Sequence, residues 1–145
     1  MPFLFLDFLN QMDFKLKKIE RLYQKKEIDS LFKGGKSLLE HPFKVVFLFE
    51  KEDKQQIIYH PIKVAVSIPK RKFKKAVDRN LLKRRTKEAY RLNRNQLREN
   101  LLKENNSLKL LLIYLEKNEL PYKVIEDKII LILQRLQAVH EETFQ

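Results

Sequence analysis

The chain has 145 residues, 43% hydrophobic and 34% charged, with 31 Lys and Arg against 19 Asp and Glu for a formal net charge of +12. That length buries one ordinary core without metal or disulfide staples, and the absence of cysteine excludes a disulfide framework, a thiolate zinc site, an iron–sulfur cluster and a cysteine nucleophile. A cation of this size calls for a polyanionic partner, nucleic acid ahead of an anionic membrane surface.

In chain order, residues 1–14 are expected to form an N-terminal arm or extension. The run PFLFLDFL at 2–9 is apolar but lacks a basic flank, contains Asp7 and has no small-residue cleavage site, so it does not read as a secretory signal. It either adds a helical turn or precedes a native start at Met12. No stretch reaches the roughly 18 apolar residues of a membrane-spanning helix. One domain is expected over 15–142, because Gly34 and Gly35 are the only glycines and no Ser- or Pro-rich tract divides the chain.

Apolar positions at Leu16, Ile19, Leu22, Tyr23, Ile28, Leu31 and Phe32 predict a helix over 15–32, broken near Lys25 and stopped by the two glycines. Three strands are expected at 43–50, 55–59 and 63–68, punctuated by His41-Pro42 and His60-Pro61. A long helix at 76–98, a buried fourth strand at 108–115 and a last helix at 121–142 follow. The last helix has Val124, Ile125, Ile129, Ile132, Leu133 and Leu136 as its inner stripe and Pro121 in its first turn. The order αβββαβα is that of an α+β two-layer sandwich.

Charge is not spread evenly along this order. Residues 69–98 hold 13 of the basic side chains and only two acids, Asp78 and Glu88, so this window carries +11 and the rest of the chain only +1. On the helix at 76–98, Asn80, Lys83, Arg84, Lys87, Arg91, Arg94 and Arg98 recur at steps of three, one, three, four, three and four, which places them on one face about 100° wide. Leu82, Thr86, Ala89 and Leu97 occupy the opposite side, with Leu81, Tyr90 and Leu92 at its edges. A strip of like charges destabilises an isolated helix, and bound phosphates relieve that repulsion. Such a helix suits a DNA major groove as well as folded RNA. Phe32, Phe43, Phe47, Phe49 and Tyr59 would stack on unpaired bases if exposed, or fill the core if not.

Protein-based catalysis finds no support. Gly35-Lys36-Ser37 has Ser30 where a phosphate-binding loop needs its first Gly, and no strand precedes it. His41, His60 and His140 lie in separate elements, and Glu50, Glu52 and Asp53 read as solvated turn residues.

The run RNLLKRRTKEAYR at 79–91, preceded by VAVSI and PKRKFKKAV, resembles the signature helix of the bacterial ribonuclease P protein component, whose pattern is Arg-Asn-Arg, then Ile-Lys-Arg, then Arg-Glu-Ala-Phe-Arg. The segment IDSLFKGGKS is similar to the family's stretch after its first helix, and the resemblance spans roughly 15–138. Departures are Leu81 for the third signature residue, with Arg85 nearby as a substitute, Pro69 for a Ser, Lys74-Lys75 for a small pair, and Ile28 for the first of two cleft aromatics, Phe32 keeping the second.

The resemblance implies a ribosomal protein S5 domain 2-like fold with a left-handed βαβ crossover. It also implies a function: the protein subunit of a cytoplasmic ribonucleoprotein endonuclease that removes the 5′ leader from precursor tRNA. The catalytic RNA subunit would do the chemistry with magnesium, and the protein would carry no catalytic residue, metal or cofactor of its own. Lys70, Arg71, Lys72, Arg79, Asn80, Lys83, Arg84, Lys87 and Arg91 would then bind the catalytic RNA, and Phe32, Phe43 and Phe47 would line or support a cleft for the single-stranded leader. From charge alone, a basic RNA- or DNA-binding module with no role in tRNA cleavage stays open, and a membrane partner is not expected.

Overall fold

The structure is a computed structural model describing residues 16–53 and 60–144. The expected arm at 1–14 and the expected strand at 55–59 lie outside the described residues.

The chain enters through one turn of 3-10 helix, Lys18–Glu20. Helix α1 (Lys25–Gly34) begins only afterwards, so among the described residues the first half of the helix expected over 15–32 is that 3-10 turn followed by extended chain. Pairing explains the difference: the Leu22 amide donates to the Val64 carbonyl at 2.9 Å, and Arg21 makes an isolated parallel bridge to Val64. At the far end of α1 the Gly35 amide donates to the Leu31 carbonyl at 2.8 Å. A Cβ on Gly35 would sit 2.3 Å from that oxygen and 3.0 Å from the Phe47 carbonyl, so only glycine fits.

Strand β1 (Lys36–Glu40) has no counterpart in the sequence expectation. Its residues KSLLE include no β-branched or aromatic side chain, and it forms because the turn at His41-Pro42 folds it back on β2 (Phe43–Lys51). Then come β3 (Ile62–Ser67), α2 (Ala76–Asn93), α3 (Asn95–Glu104), β4 (Asn106–Tyr114) and α4 (Tyr122–Thr143). The four strands lie in the order β1-β2-β4-β3. Only the β3–β4 pair is parallel, and α2 and α3 make the crossover between them.

Alternation assigns the two faces of the sheet. Phe43, Val45, Phe47, Ile62, Val64, Leu108, Leu110, Leu112 and Tyr114 pack with Leu82, Ala89 and Tyr90 of α2 and with Ile125, Ile129, Ile132 and Leu136 of α4. Each of these α4 side chains is 1% exposed or less, worth roughly 2 kcal/mol apiece in burial. The other face carries a smaller cluster of Leu22, Leu31, Val46 and Leu111, which α1 covers. This is the α+β sandwich, with α1 leaving part of its second face open.

Candidate nucleic-acid interface

Helix α2 is anchored through Leu82, Thr86, Ala89 and Tyr90, all buried. Thr86 Oγ1 donates to the Leu82 carbonyl at 2.8 Å, which satisfies its hydroxyl inside the core. On the outer side Asn80 and Arg84 are exposed, while Lys83, Lys87 and Arg91 are half-buried. Arg91 reaches back to Glu88, with Nη2 donating to Oε1 at 2.6 Å. Lys87 has no carboxylate in ion-pair range among the described residues, and burial, then Arg21, then Lys83 push its pKa below the usual lysine value.

The loop before α2 is folded onto the core by Phe73, 8% exposed and 5.8 Å from the Tyr114 ring. Lys70 and Arg71 point to solvent. Lys72 is occupied, its Nζ donating to the Leu115 carbonyl at the end of β4. Arg79 is partly occupied as well: one guanidinium nitrogen donates to the carbonyls of Phe73, at 2.7 Å, and Lys74, at 2.9 Å. Arg85 bonds the Leu120 carbonyl at 2.8 Å and Glu119 at 3.1 Å, so it joins α2 to the start of α4 and does not stand in for the arginine missing at Leu81.

The straight rod expected over 76–98 is interrupted. Asn93 Nδ2 competes for the Ala89 carbonyl at 2.8 Å, α2 ends, and α3 restarts after Arg94. Arg94 turns inward, 1% exposed, and its Nε and Nη2 bond Glu20 Oε1 at 3.2 and 3.0 Å. Arg94 therefore leaves the expected strip. On an unbroken helix it would stand beside Lys87, seven residues back; the break after Asn93 turns it inward instead.

Phe32 stands on α1, the helix packed on the second face of the sheet, with 59% of its surface exposed. Phe43 and Phe47 do not reach that face. They are 0% and 4% exposed on the opposite side, where Phe43 meets the Tyr114 ring and Phe47 the Phe49 ring, so they pack in the core beneath the sheet; Phe47 borders only a small pocket with Gly34, Lys36 and Val139. The period of two puts Lys44 outward on β2, and the pairing of Leu39 with Lys44 puts Leu39, 63% exposed, on the same face.

The chain matches the Ribonuclease P family over residues 16–137. It belongs to that family. It is 35% identical over 114 residues to the ribonuclease P protein component of Porphyromonas gingivalis strain W83, covering 78% of this chain and 80% of that protein. The ribonuclease P protein of Thermotoga maritima superposes with a TM-score of 0.59 at 23% identity, over 80% of this chain and 96% of that one. A Staphylococcus aureus ribonuclease P protein mutant with defective mRNA degradation activity superposes at 0.58 and 16% identity, over 83% and 90%. These two likenesses bear on the fold.

As a ribonuclease P protein the chain is a subunit of the ribonucleoprotein endonuclease that processes tRNA. Among the described residues no group of three or more His, Asp or Glu is placed to hold a metal ion, and no helix is long and apolar enough to cross a membrane. Two residues of this ribonuclease P protein escaped sequence reasoning. Glu20, 2% exposed, carried no motif, and Arg21 looked like one more charge on a helix, although the pairing at Leu22 holds it beside the sheet.

Proposed function

We propose that this ribonuclease P protein acts in the cytoplasm through one domain over 15–142, gripping the catalytic RNA with its basic helix and loop while the RNA cleaves the leader from precursor tRNA with magnesium. The observation that supports this best is the outer side of α2 with the preceding loop: Lys70, Arg71, Lys83, Arg84 and Lys87 face outward with no acidic partner in ion-pair range among the described residues, on a helix fixed to the core. Asn80, Arg79 and Arg91 flank them, and Lys72 contributes by holding the loop to β4. Two polyanions repel, and a subunit that neutralises phosphates tightens their association without entering the reaction. Phe32, exposed on α1, offers a stacking surface for the single-stranded leader, and Leu39 and the Lys44 charge stand on the sheet face that α1 partly covers.

The test is reconstitution. Adding the protein to bacterial ribonuclease P RNA at low magnesium should restore 5′ processing of precursor tRNA. RNA binding without stimulation would instead favour a basic module outside tRNA cleavage.

A further inference from the structure

We propose that Arg21 is an additional RNA-binding residue, forming with Lys83 and Lys87 a three-cation seat for a single phosphate group, held in place by the buried Glu20–Arg94 pair. The inference rests on the reading of α2 as an RNA-binding helix and adds a group from a distant part of the chain.

The backbone fixes where Arg21 goes. Its parallel bridge to Val64 gives the two residues the same side of the sheet, and Val64 is buried in the cluster packed by α2 and α4. Leu22, the next residue, turns to the opposite face and joins Leu31, Val46 and Leu111. Arg21 thus emerges at the sheet edge beside α2, where Lys83 and Lys87 sit one helical turn apart.

The seat is electrostatically unfilled. The neighbouring carboxylate, Glu20, is committed: its oxygens lie 3.0 to 3.3 Å from the Arg94 guanidinium and 2.8 Å from the Lys17 amide. Among the described residues no other acid lies in ion-pair range of Arg21, Lys83 or Lys87. Lys87 is half-buried, and Arg21 and Lys83 are the two cations whose charge bears on it. Three like charges, two on half-buried lysines and one on an exposed arginine whose backbone the sheet edge fixes, raise the free energy of the unliganded protein, and the single negative charge of an RNA phosphodiester relieves it. Arg21 suits the role because its guanidinium can donate two parallel bonds to phosphate oxygens, with the lysines as point charges. The Glu20–Arg94 pair acts as the clamp, since it ties the residue before Arg21 to the junction of α2 and α3.

The experiment is a double-mutant cycle on binding of bacterial ribonuclease P RNA to the full chain, read across a salt series. Arg21→Gln is expected to weaken binding by about tenfold near physiological salt and to make the log–log salt slope shallower by up to about 0.9. Arg21→Lys should keep the slope. Combined with Lys87→Gln, the loss should be smaller than the product of the two single losses, because both serve one phosphate. Wild-type affinity and slope in Arg21→Gln, or losses that simply multiply, overturn the seat. A second readout needs no RNA: by NMR titration of the free protein, Arg21→Gln should raise the Lys87 side-chain pKa, and an unchanged value also overturns it. Absence of RNA stimulation by the wild-type chain would strike the functional reading instead, leaving that titration to decide the geometry.

Discussion

Glu20→Gln removes the negative charge that the Arg94 guanidinium faces in a site where both side chains are 2% exposed. Taking one partner from a buried ion pair usually costs about 3–5 kcal/mol, because the other charge stays desolvated. The lower end applies here: Gln retains a carbonyl oxygen for one Arg94 nitrogen, and Arg94 Nη1 keeps its 2.8 Å bond to the Arg91 carbonyl. About 3 kcal/mol is a large part of a typical 5–15 kcal/mol stability. At roughly 4 °C per kcal/mol for a chain of this size, the melting temperature should drop by about 12 °C. The same logic makes Glu20→Leu combined with Arg94→Met more stable than Glu20→Gln alone, because an apolar pair carries no desolvation cost. Circular dichroism melts measure the global loss, and amide exchange at Leu22, bonded to Val64, detects local release of the N-terminal segment. If Glu20→Gln leaves both the melt and the Leu22 exchange rate at wild-type values, the pair is not the desolvated clamp described above.

Arg84→Ala, at an exposed cation with no acidic neighbour in range, should reduce the salt slope of RNA binding by about 0.9 with the melt unchanged; a loss of helicity would make it structural. Arg91→Ala should weaken binding less than Arg84→Ala, since Arg91 is already bonded to Glu88, and filter binding at matched salt ranks the two. Phe32→Ala should leave stability within about 0.5 kcal/mol while lowering affinity for leader-bearing precursor tRNA, whereas Phe47→Ala should cost about 3–5 kcal/mol on urea denaturation; the reverse order would place the cleft on the other face. Burial pushes His140 below its usual value near 6.5, against the opposing pull of Glu104 and Glu141, and His60 is lowered in the same direction. The unfolded chain therefore takes up protons first. Stability should be complete above pH 6.5 and decline as pH falls through the folded values, and His140→Gln should flatten the fall of the urea midpoint between pH 7 and 5.

What the sequence made legible was whatever repeats at short range. The inner stripe of α4 is found at Ile125, Ile129, Ile132, Leu133 and Leu136 because a period of 3.6 needs no partner to be seen, whereas Val124, also expected there, is 40% exposed because one residue's rotation of about 100° carries it off the stripe. The core anchors of α2 and the outward Lys83, Arg84 and Lys87 follow from the same period. The errors are non-local. Strand β1 depends on a turn and a neighbour, not on its own residues. Phe43 and Phe47 are in their expected strand, but which face is open depends on how much of the sheet α1 covers. Arg94 falls on the polar strip as long as the helix is straight; the break that turns it inward and its partner Glu20, 74 residues away, both depend on tertiary packing, and no spacing rule reaches that far.

The interruption at Arg94 changes the kind of surface the protein presents. A straight ridge from Asn80 to Arg98 would have run about 27 Å; ending at Arg91 it runs about 16 Å, at 1.5 Å per residue. Length is replaced by breadth, because Lys70 and Arg71 stand on the loop and Arg21 on the sheet edge beside the same helix. Cations contributed by three elements cannot all track one straight phosphate backbone. They can meet phosphates that folding has brought together from different strands, which is how a structured RNA differs from a regular duplex groove. The inward arginine thus removes a charge from the ridge and, through Glu20, fixes the segment that supplies Arg21. In this way the fold's buried ion pair and its outer basic patch are parts of one arrangement.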